Sequence, residues 1–217
     1  MMNKSIAILQ KNWPLLQTAF LEHIQISFFA VAIGIIISVP LGILLTRMPR
    51  LAKRVMAVMG ILQTVPSMVM FGLLLPVTGI GKPTAVIVLT VYSILPILRN
   101  TYTGITEVPA GYTEAATGMG MNSLQTLFRV ELPLALPVIV TGIRLSSVYI
   151  ISWATVAAII GGGGLGDVIY TGLDRYNHTI VLMGAIPASL LAIATSFVIG
   201  RLARLAIPKG LRREGNV

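Results

Sequence analysis

The sequence of 217 residues contains no cysteine, only seven acidic residues and only two histidines. The lack of cysteine excludes disulfides and thiolate metal sites, and two histidines offer few other metal ligands. Charged residues make up 11% of the chain, against about 25% in an average soluble domain. Because 55% of the residues are hydrophobic, a soluble fold of this length would expose large apolar patches. We therefore predict that the chain is embedded in lipid.

Long uncharged runs identify the candidate membrane spans, because a helix needs about 20 apolar residues to cross the hydrocarbon core. We predict an all-α membrane protein with one transmembrane domain over residues 1–217. Its five spans are expected at about 24–45, 55–75, 83–103, 133–160 and 179–200. Prolines inside these spans predict kinks at Pro66, Pro96, Pro137 and Pro187. The first 23 residues contain no compact apolar stretch, so we expect no cleaved signal peptide.

The positive charge is concentrated at the ends of the apolar runs, as in topology-determining loops. With the N-terminus outside and the C-terminus inside, eleven of the 16 lysines and arginines lie in inner segments and four in outer ones. The inner cations are Arg47, Arg50, Lys53, Arg54, Arg99, Arg129, Arg201, Arg204, Lys209, Arg212 and Arg213. The outer cations are Lys4, Lys11, Lys82 and Arg175. No basic stripe is interleaved with aromatics, so the net charge of +9 does not indicate a nucleic-acid partner.

The segment at about 104–132 is the longest stretch between spans, and its punctuation predicts two short helices. Pro109 and Gly111 interrupt the chain before a run of helix formers, and Gly118 and Gly120 end that run. Asn122 or Ser123 is a suitable cap for the second helix. Pro133 is then a good first-turn residue for the fourth span.

Seven residues of this segment have a diagnostic spacing: Glu114, Ala115, Ala116, Gly120, Val130, Leu132 and Pro133. The pattern resembles the "EAA" signature of ATP-binding-cassette importer permeases, with Val130 where isoleucine is usual. The resemblance implies a type I importer permease with a methionine-importer-like core. Its inner loop would dock into a cleft on a separate ATPase, which would bind ATP and Mg. The sequence contains no G-x-x-x-x-G-K-[ST] phosphate loop, so we expect a transport subunit without cofactors and not an enzyme.

Residues 63–67, 95–105 and 163–167 resemble permeases for glycine betaine, carnitine and choline. This resemblance implies an osmoprotective importer in the bacterial cell membrane, with two ATPases, a second permease (identical or paralogous) and an extracytoplasmic solute-binding protein. The binding protein is expected to be separate, because the chain stops at Val217 without such a domain. Methionine importers share the five spans and the inner loop, so an amino acid or another small solute stays open as substrate.

The glycine-rich run at 161–166 satisfies G-x-G-x-x-G, but it follows a predicted membrane span and not a strand. A tight turn at the outer end of the fourth span is therefore expected instead of a dinucleotide site. The resemblance places Gly163, Gly164, Gly166 and Asp167 near the docking surface for the binding protein. His23 and His178 are expected to be interfacial residues and not metal ligands.

Four further residues fall inside predicted spans. Tyr92, Tyr149 and Trp153 could line a translocation path and attract a quaternary ammonium group, or they could be packing or interfacial aromatics. Arg144 is an intramembrane charge, with either a structural role, bonded to helix-end carbonyls, or a gating role.

Two other classes of membrane protein fit the sequence less well. An ion-coupled secondary transporter is disfavoured because no predicted span contains an aspartate or glutamate. An intramembrane enzyme is disfavoured because the spans contain no Ser/His pair, H-E-x-x-H motif or paired carboxylates.

Overall fold

The computed structural model describes the backbone of residues 2–206 and the side chains of residues 12–205. Every regular element in this part of the chain is helical. The α-helices are α1 (Met2–Thr46), α2 (Pro49–Thr64), α3 (Ser67–Thr78), α4 (Lys82–Thr106), α5 (Ala110–Gly118), α6 (Ser123–Thr126), α7 (Leu132–Ala154), α8 (Leu165–Asp174) and α9 (His178–Ala206). A π-helical turn (Leu127–Glu131) precedes α7, and a 3₁₀ turn (Val156–Ile160) follows it.

Within the described residues, four helices are long and apolar enough to cross a membrane, and a bent pair of helices adds a fifth candidate. An all-helical architecture with about five spans is therefore confirmed. The orientation stays a prediction, and several of the cations behind it (Lys4, Lys11, Lys209, Arg212 and Arg213) lie outside the described side chains.

Helix α1 begins well before the predicted first span. Its candidate membrane segment runs from Asn12 to Thr46 and includes Glu22 and His23, two polar residues that precede the uncharged run. Both have partners on other segments, since Glu22 pairs with Lys82 and His23 bonds to the Ile151 carbonyl. Contacts of this kind allow polar side chains inside a membrane helix, although Nδ1 of His23 is buried and has no hydrogen-bond partner among the described residues.

The predicted second span is two helices instead of one. Helices α2 and α3 meet at Val65 and Pro66 with a bend of 97°. Pro66 has extended backbone angles and directly precedes α3, where its missing N–H costs no helical hydrogen bond. The sequence predicted a kink here, and the structure shows a complete break.

Helix α4 is the centre of the domain, packed between α1 and α7. In its most apolar window 61% of the residues are buried, against 22% in α9. Glycines allow the close approach: a Cβ on Gly34 would overlap the Ser93 side chain, and one on Gly142 would lie 2.9 Å from the Pro96 carbonyl oxygen. Small residues at such contacts are typical of helix packing in membranes.

Candidate functional site

The inner loop contains two short helices, as the sequence predicted, but the second of them runs without interruption into the fourth span. Helix α6 starts at an Asn122 cap: Asn122 Oδ1 accepts from the Gln125 N–H, and Gln125 Oε1 accepts from the Asn122 N–H, both at 2.9 Å. This reciprocal capping box is a strong helix start. The helical segment then continues from Ser123 to Ala154.

Pro133 lies in the first turn of α7, as predicted, but the helical segment extends back a further ten residues to Ser123. The π-helical turn explains how the helix tolerates it. The Leu132 N–H bonds to the Leu127 carbonyl, which widens the turn beside Pro133. A proline inside a regular α-helix would clash with the carbonyl four residues earlier, and a π-bulge is one way to relieve that clash.

Gly120 ends α5 in a left-handed conformation with φ of +83°. The Met121 N–H bonds to the Ala116 carbonyl and the Gly120 N–H to the Thr117 carbonyl. These two bonds form a Schellman motif, in which glycine is the preferred residue. The structure thus shows how Gly120 ends α5, in agreement with the sequence prediction that Gly118 and Gly120 end the run of helix formers.

The remaining signature residues divide into exposed and packed sets. Glu114 and Ala115 are exposed, whereas Ala116 is buried against its own chain. Val130, Leu132 and Pro133 are partly buried at the start of the fourth span. Only the first two signature residues of α5 are therefore free to touch another protein.

Glu131 has a role that the sequence did not reveal. Its carboxylate is buried and accepts a hydrogen bond from Arg47 Nη2 at 2.6 Å, which ties the inner end of α1 to the π-helical turn. From the sequence, Arg47 was only a topology-determining cation. The sequence offered one signal for this ion pair: Glu131 is an acid within the signature region, and Arg47 is a cation at the end of a predicted span.

The three predicted aromatics form one cluster. Tyr92 and Trp153 meet edge to face with ring centroids 4.8 Å apart, and Tyr149 stacks on Trp153 at 5.9 Å. Tyr92 is 3% exposed and Tyr149 is 44% exposed. Tyr92 is therefore a packing residue in this chain, and Tyr149 presents the cluster at the surface.

Tyr92 also connects α4 to the break between α2 and α3. Its hydroxyl donates to the Val65 carbonyl, and its own carbonyl accepts from Gln63 Nε2 at 3.0 Å. The Tyr92 carbonyl needs this donor because Pro96, four residues later, has no N–H to offer. Gln63 thus replaces a helical hydrogen bond that Pro96 removes.

Arg144 lies on α7 beside α9. Its Nε donates to Ser196 Oγ at 2.7 Å. The partner expected for a structural role was a set of helix-end carbonyls, and the structure shows a hydroxyl of a neighbouring helix instead.

The glycine-rich run lies beside Glu22 of α1 and Lys82 at the start of α4. Gly163 and Gly164 have φ of +81° and +82°, and the Gly164 N–H donates to Glu22 Oε2 at 3.2 Å. Glu22 Oε1 in turn accepts from Lys82 Nζ at 2.7 Å. A Cβ on Gly166 would overlap the Thr155 carbonyl. The run follows a 3₁₀ turn, which does not fit a dinucleotide fold.

Asp167 and the two histidines occupy different environments around this run. Asp167 is largely exposed. The pKa of its carboxyl is raised, mainly because part of the group is shielded from water and also because the negative charge of Glu22 is near. His178 is exposed at the start of α9. His23 is completely buried, so the expectation of an interfacial residue is wrong for it: its Nε2 bonds to the Ile151 carbonyl at 3.0 Å. Within residues 12–205 no group of three potential ligands could hold a metal ion.

Residues 34–209 match the family described as "Binding-protein-dependent transport system inner membrane component". The chain belongs to this family. Among the relatives of this binding-protein-dependent permease is the glycine betaine/carnitine/choline transport system permease protein OpuCB of Bacillus subtilis (strain 168). The two are 45% identical over 211 residues, which cover 97% of each chain. The carnitine transport permease protein OpuCB of Listeria monocytogenes is 44% identical over 216 residues, which cover 99% of each chain.

A solved structure of the MetNI methionine ABC transporter, in an inward-facing conformation, superposes on the permease with a TM-score of 0.83. The identity is 26%, over 91% of this chain and 99% of the other. The predicted type I importer fold is thereby confirmed. The chain is a multi-pass permease subunit of a binding-protein-dependent importer and not an enzyme, which excludes the ion-coupled transporter and the intramembrane enzyme. A permease of this class works with an ATPase, a substrate-binding protein and a second permease.

Proposed function

We propose that this permease imports quaternary ammonium osmolytes of the glycine betaine, carnitine and choline class. The observation that carries the proposal is identity of 44–45% over nearly the whole chain with permeases named for these solutes. The superposed methionine transporter shares only 26% identity, so methionine is the weaker candidate.

The assembly that we propose contains two permeases around one pathway, two ATPases that bind ATP and Mg, and an extracytoplasmic solute-binding protein. The membrane is the bacterial cell membrane, with the N-terminus outside and the C-terminus inside. In this orientation α5 and α6 face the ATPases, and the glycine-rich run faces the binding protein. The distribution of lysines and arginines supports this orientation.

The proposed contact with the ATPase is the exposed surface of α5 and α6. It includes Glu114 and Ala115 and four large exposed apolar side chains: Tyr112, Met119, Leu124 and Phe128. Apolar side chains rimmed by polar residues are typical of protein interfaces. ATP would drive transport by binding the two states of the transporter with different affinity.

The proposed pathway surface is the exposed face of α7. Thr141, Leu145, Tyr149 and Ser152 are exposed and share one helical face. The π-electrons of Tyr149, backed by Trp153 and Tyr92, are suited to a quaternary ammonium group.

The purified whole complex in proteoliposomes tests the substrate assignment. Uptake of labelled glycine betaine, carnitine, choline and methionine would be measured with ATP, and with a non-hydrolysable analogue, on the ATPase side. We expect ATP-dependent uptake of at least one quaternary ammonium compound and none of methionine. Uptake of methionine alone would reject the osmolyte assignment while leaving the importer class in place.

A further inference from the structure

Arg144 has hydrogen-bonding capacity that the chain itself does not use. A guanidinium offers five N–H donors and is always charged. One of them, on Nε, bonds to Ser196 Oγ at 2.7 Å, and the four on Nη1 and Nη2 meet no acceptor among the described residues. An arginine at membrane depth is costly unless it faces water, a partner or a ligand.

The backbone of Arg144 and its guanidinium lie at different places along the helix pair. Arg144 is twelve residues after Leu132 and ten before Ala154, the ends of α7. At 1.5 Å per residue these separations are about 18 Å and about 15 Å, so the backbone is near the middle of α7. The guanidinium is held against Ser196 and lies beside Gly200, towards the C-terminal end of α9, so a lipid phosphate is an alternative partner that the test must distinguish.

An open recess lies beside the guanidinium. It has a volume of about 370 Å³ and is lined by Arg144, Val148, Ala192, Ile193, Ser196 and Phe197. Mostly apolar recesses with a few polar groups are typical of small-molecule sites.

The bond to Ser196 fixes which edge of the guanidinium is available. Because Nε is occupied, the edge formed by Nη1 and Nη2 remains, with two N–H groups that match the two oxygens of a carboxylate. Arg144 also borders the exposed face of α7 that contains Thr141, Tyr149 and Ser152. A carboxylate travelling along this face would reach the recess.

We propose that Arg144, oriented by Ser196, binds the carboxylate of a zwitterionic substrate during its passage through the membrane. The inference rests on the osmolyte function proposed above and deepens it. Glycine betaine and carnitine have a carboxylate and choline does not, so Arg144 distinguishes between solutes that share the same ammonium group.

The test measures uptake of the three labelled solutes by the whole complex, each at saturating binding protein. Arg144→Gln removes the charge and keeps much of the side-chain length. We expect it to lower the uptake rate of glycine betaine and carnitine about 10-fold or more relative to choline, as the loss of a charge-assisted bidentate contact would. Arg144→Lys keeps the positive charge but not the two parallel N–H groups of the guanidinium. We expect it to lower uptake of glycine betaine and carnitine relative to choline, by a smaller factor than Arg144→Gln does. If the complex with Arg144→Gln does not assemble, Arg144→Lys tests the proposal.

Ser196→Ala is the matched control, because it breaks the bond between α7 and α9 while the guanidinium stays. We expect it to lower uptake of glycine betaine and carnitine relative to choline by a smaller factor than Arg144→Gln does, because the charge stays and only its orientation is lost. An equal loss for choline and the zwitterions in both Arg144 variants would overturn the proposal and leave a purely structural arginine. An effect that varied with the anionic lipid content of the vesicles, for every solute alike, would assign Arg144 to a lipid phosphate and also overturn it. A wild-type complex that imports none of the three would overturn the proposed function as well, so the two failures are separable.

Discussion

Arg47 Nη2 and Glu131 Oε2 lie 2.6 Å apart, although 84 residues separate them in the sequence. The pair joins the C-terminal end of α1 to the π-helical turn between α6 and α7. Its two sides differ in burial: the Glu131 side chain is 9% exposed and that of Arg47 is 50% exposed. In the proposed assembly, a movement of α5 and α6 imposed by the ATPase would therefore displace α1 as well as α7.

This asymmetry predicts unequal effects of the two single substitutions. Arg47→Met leaves a buried carboxylate without a partner and should cost about 1–3 kcal/mol. Glu131→Gln leaves an exposed, hydrated guanidinium and should cost less. Thermal unfolding of the purified complex would measure both, with the double variant closing the cycle. Equal destabilisation by the two single variants would contradict the ion-pair account.

Gly118 and Gly120 are two neighbouring glycines at the end of α5 whose substitutions can be compared directly. At neither position would an added Cβ meet another atom within 4 Å, but only Gly120 has positive φ, at +83°. Gly120→Ala should destabilise the loop by about 1–2 kcal/mol, whereas Gly118→Ala in a helix should be neutral or stabilising by up to about 1 kcal/mol. The number of solute molecules moved per ATP should fall for Gly120→Ala alone. If Gly118→Ala uncoupled transport equally, the loop would depend on the space at both glycines and not on backbone conformation.

Gln63 should be dispensable when Pro96 is absent. Gln63→Leu removes the donor to the Tyr92 carbonyl and should cost about 1–3 kcal/mol, because a buried acceptor is left unpaired. Pro96→Ala restores the helical N–H to the same carbonyl. The double variant should therefore lose much less stability from Gln63→Leu than the wild-type background does. A constant cost of Gln63→Leu in both backgrounds would show that the glutamine acts through something else.

Within the aromatic cluster, we expect Tyr149 to affect transport and Tyr92 to affect stability. Tyr149→Ala removes the exposed ring and should weaken choline transport by about 0.5–2 kcal/mol in apparent affinity, with little loss of stability. Tyr92→Phe keeps the ring but loses the hydrogen bond to the Val65 carbonyl, so it should lower the melting temperature and leave apparent affinity unchanged. Choline uptake kinetics and thermal unfolding on both variants would distinguish these outcomes.

The absence of cysteine makes the orientation directly testable, because any cysteine introduced into this chain is unique in it. Tyr176 and Met119 are among the most exposed side chains and lie on opposite sides in the proposed topology. With intact cells, a membrane-impermeant maleimide should label Tyr176→Cys and should label Met119→Cys only after lysis. The reverse pattern would place the N-terminus inside.

Apolar runs and loop punctuation were enough to predict the number of spans, the two loop helices and a cap at Asn122 or Ser123, because these depend on local sequence. The start of α1 and the burial of His23 could not be predicted, since both depend on contacts with residues more than fifty positions away, such as Lys82 and Ile151. The position of Pro133 in the first turn of α7 was predicted, but the π-helical turn that precedes it was not, because it has no signature in the local sequence. The partner of Arg144 was likewise invisible, because it lies on a helix 52 residues further along.

Tyr92 accepts a hydrogen bond from one side of the break at Val65 and Pro66 and donates one to the break itself. Those two bonds make the bent pair α2 and α3 and the proline-containing middle of α4 a single mechanical unit. The bent pair cannot straighten without breaking these bonds and leaving a buried polar atom unsatisfied. Opening and closing of the pathway should therefore occur by sliding between this unit and its neighbours, or between the two permeases, while the angle between α2 and α3 stays nearly the same in the inward- and outward-open states.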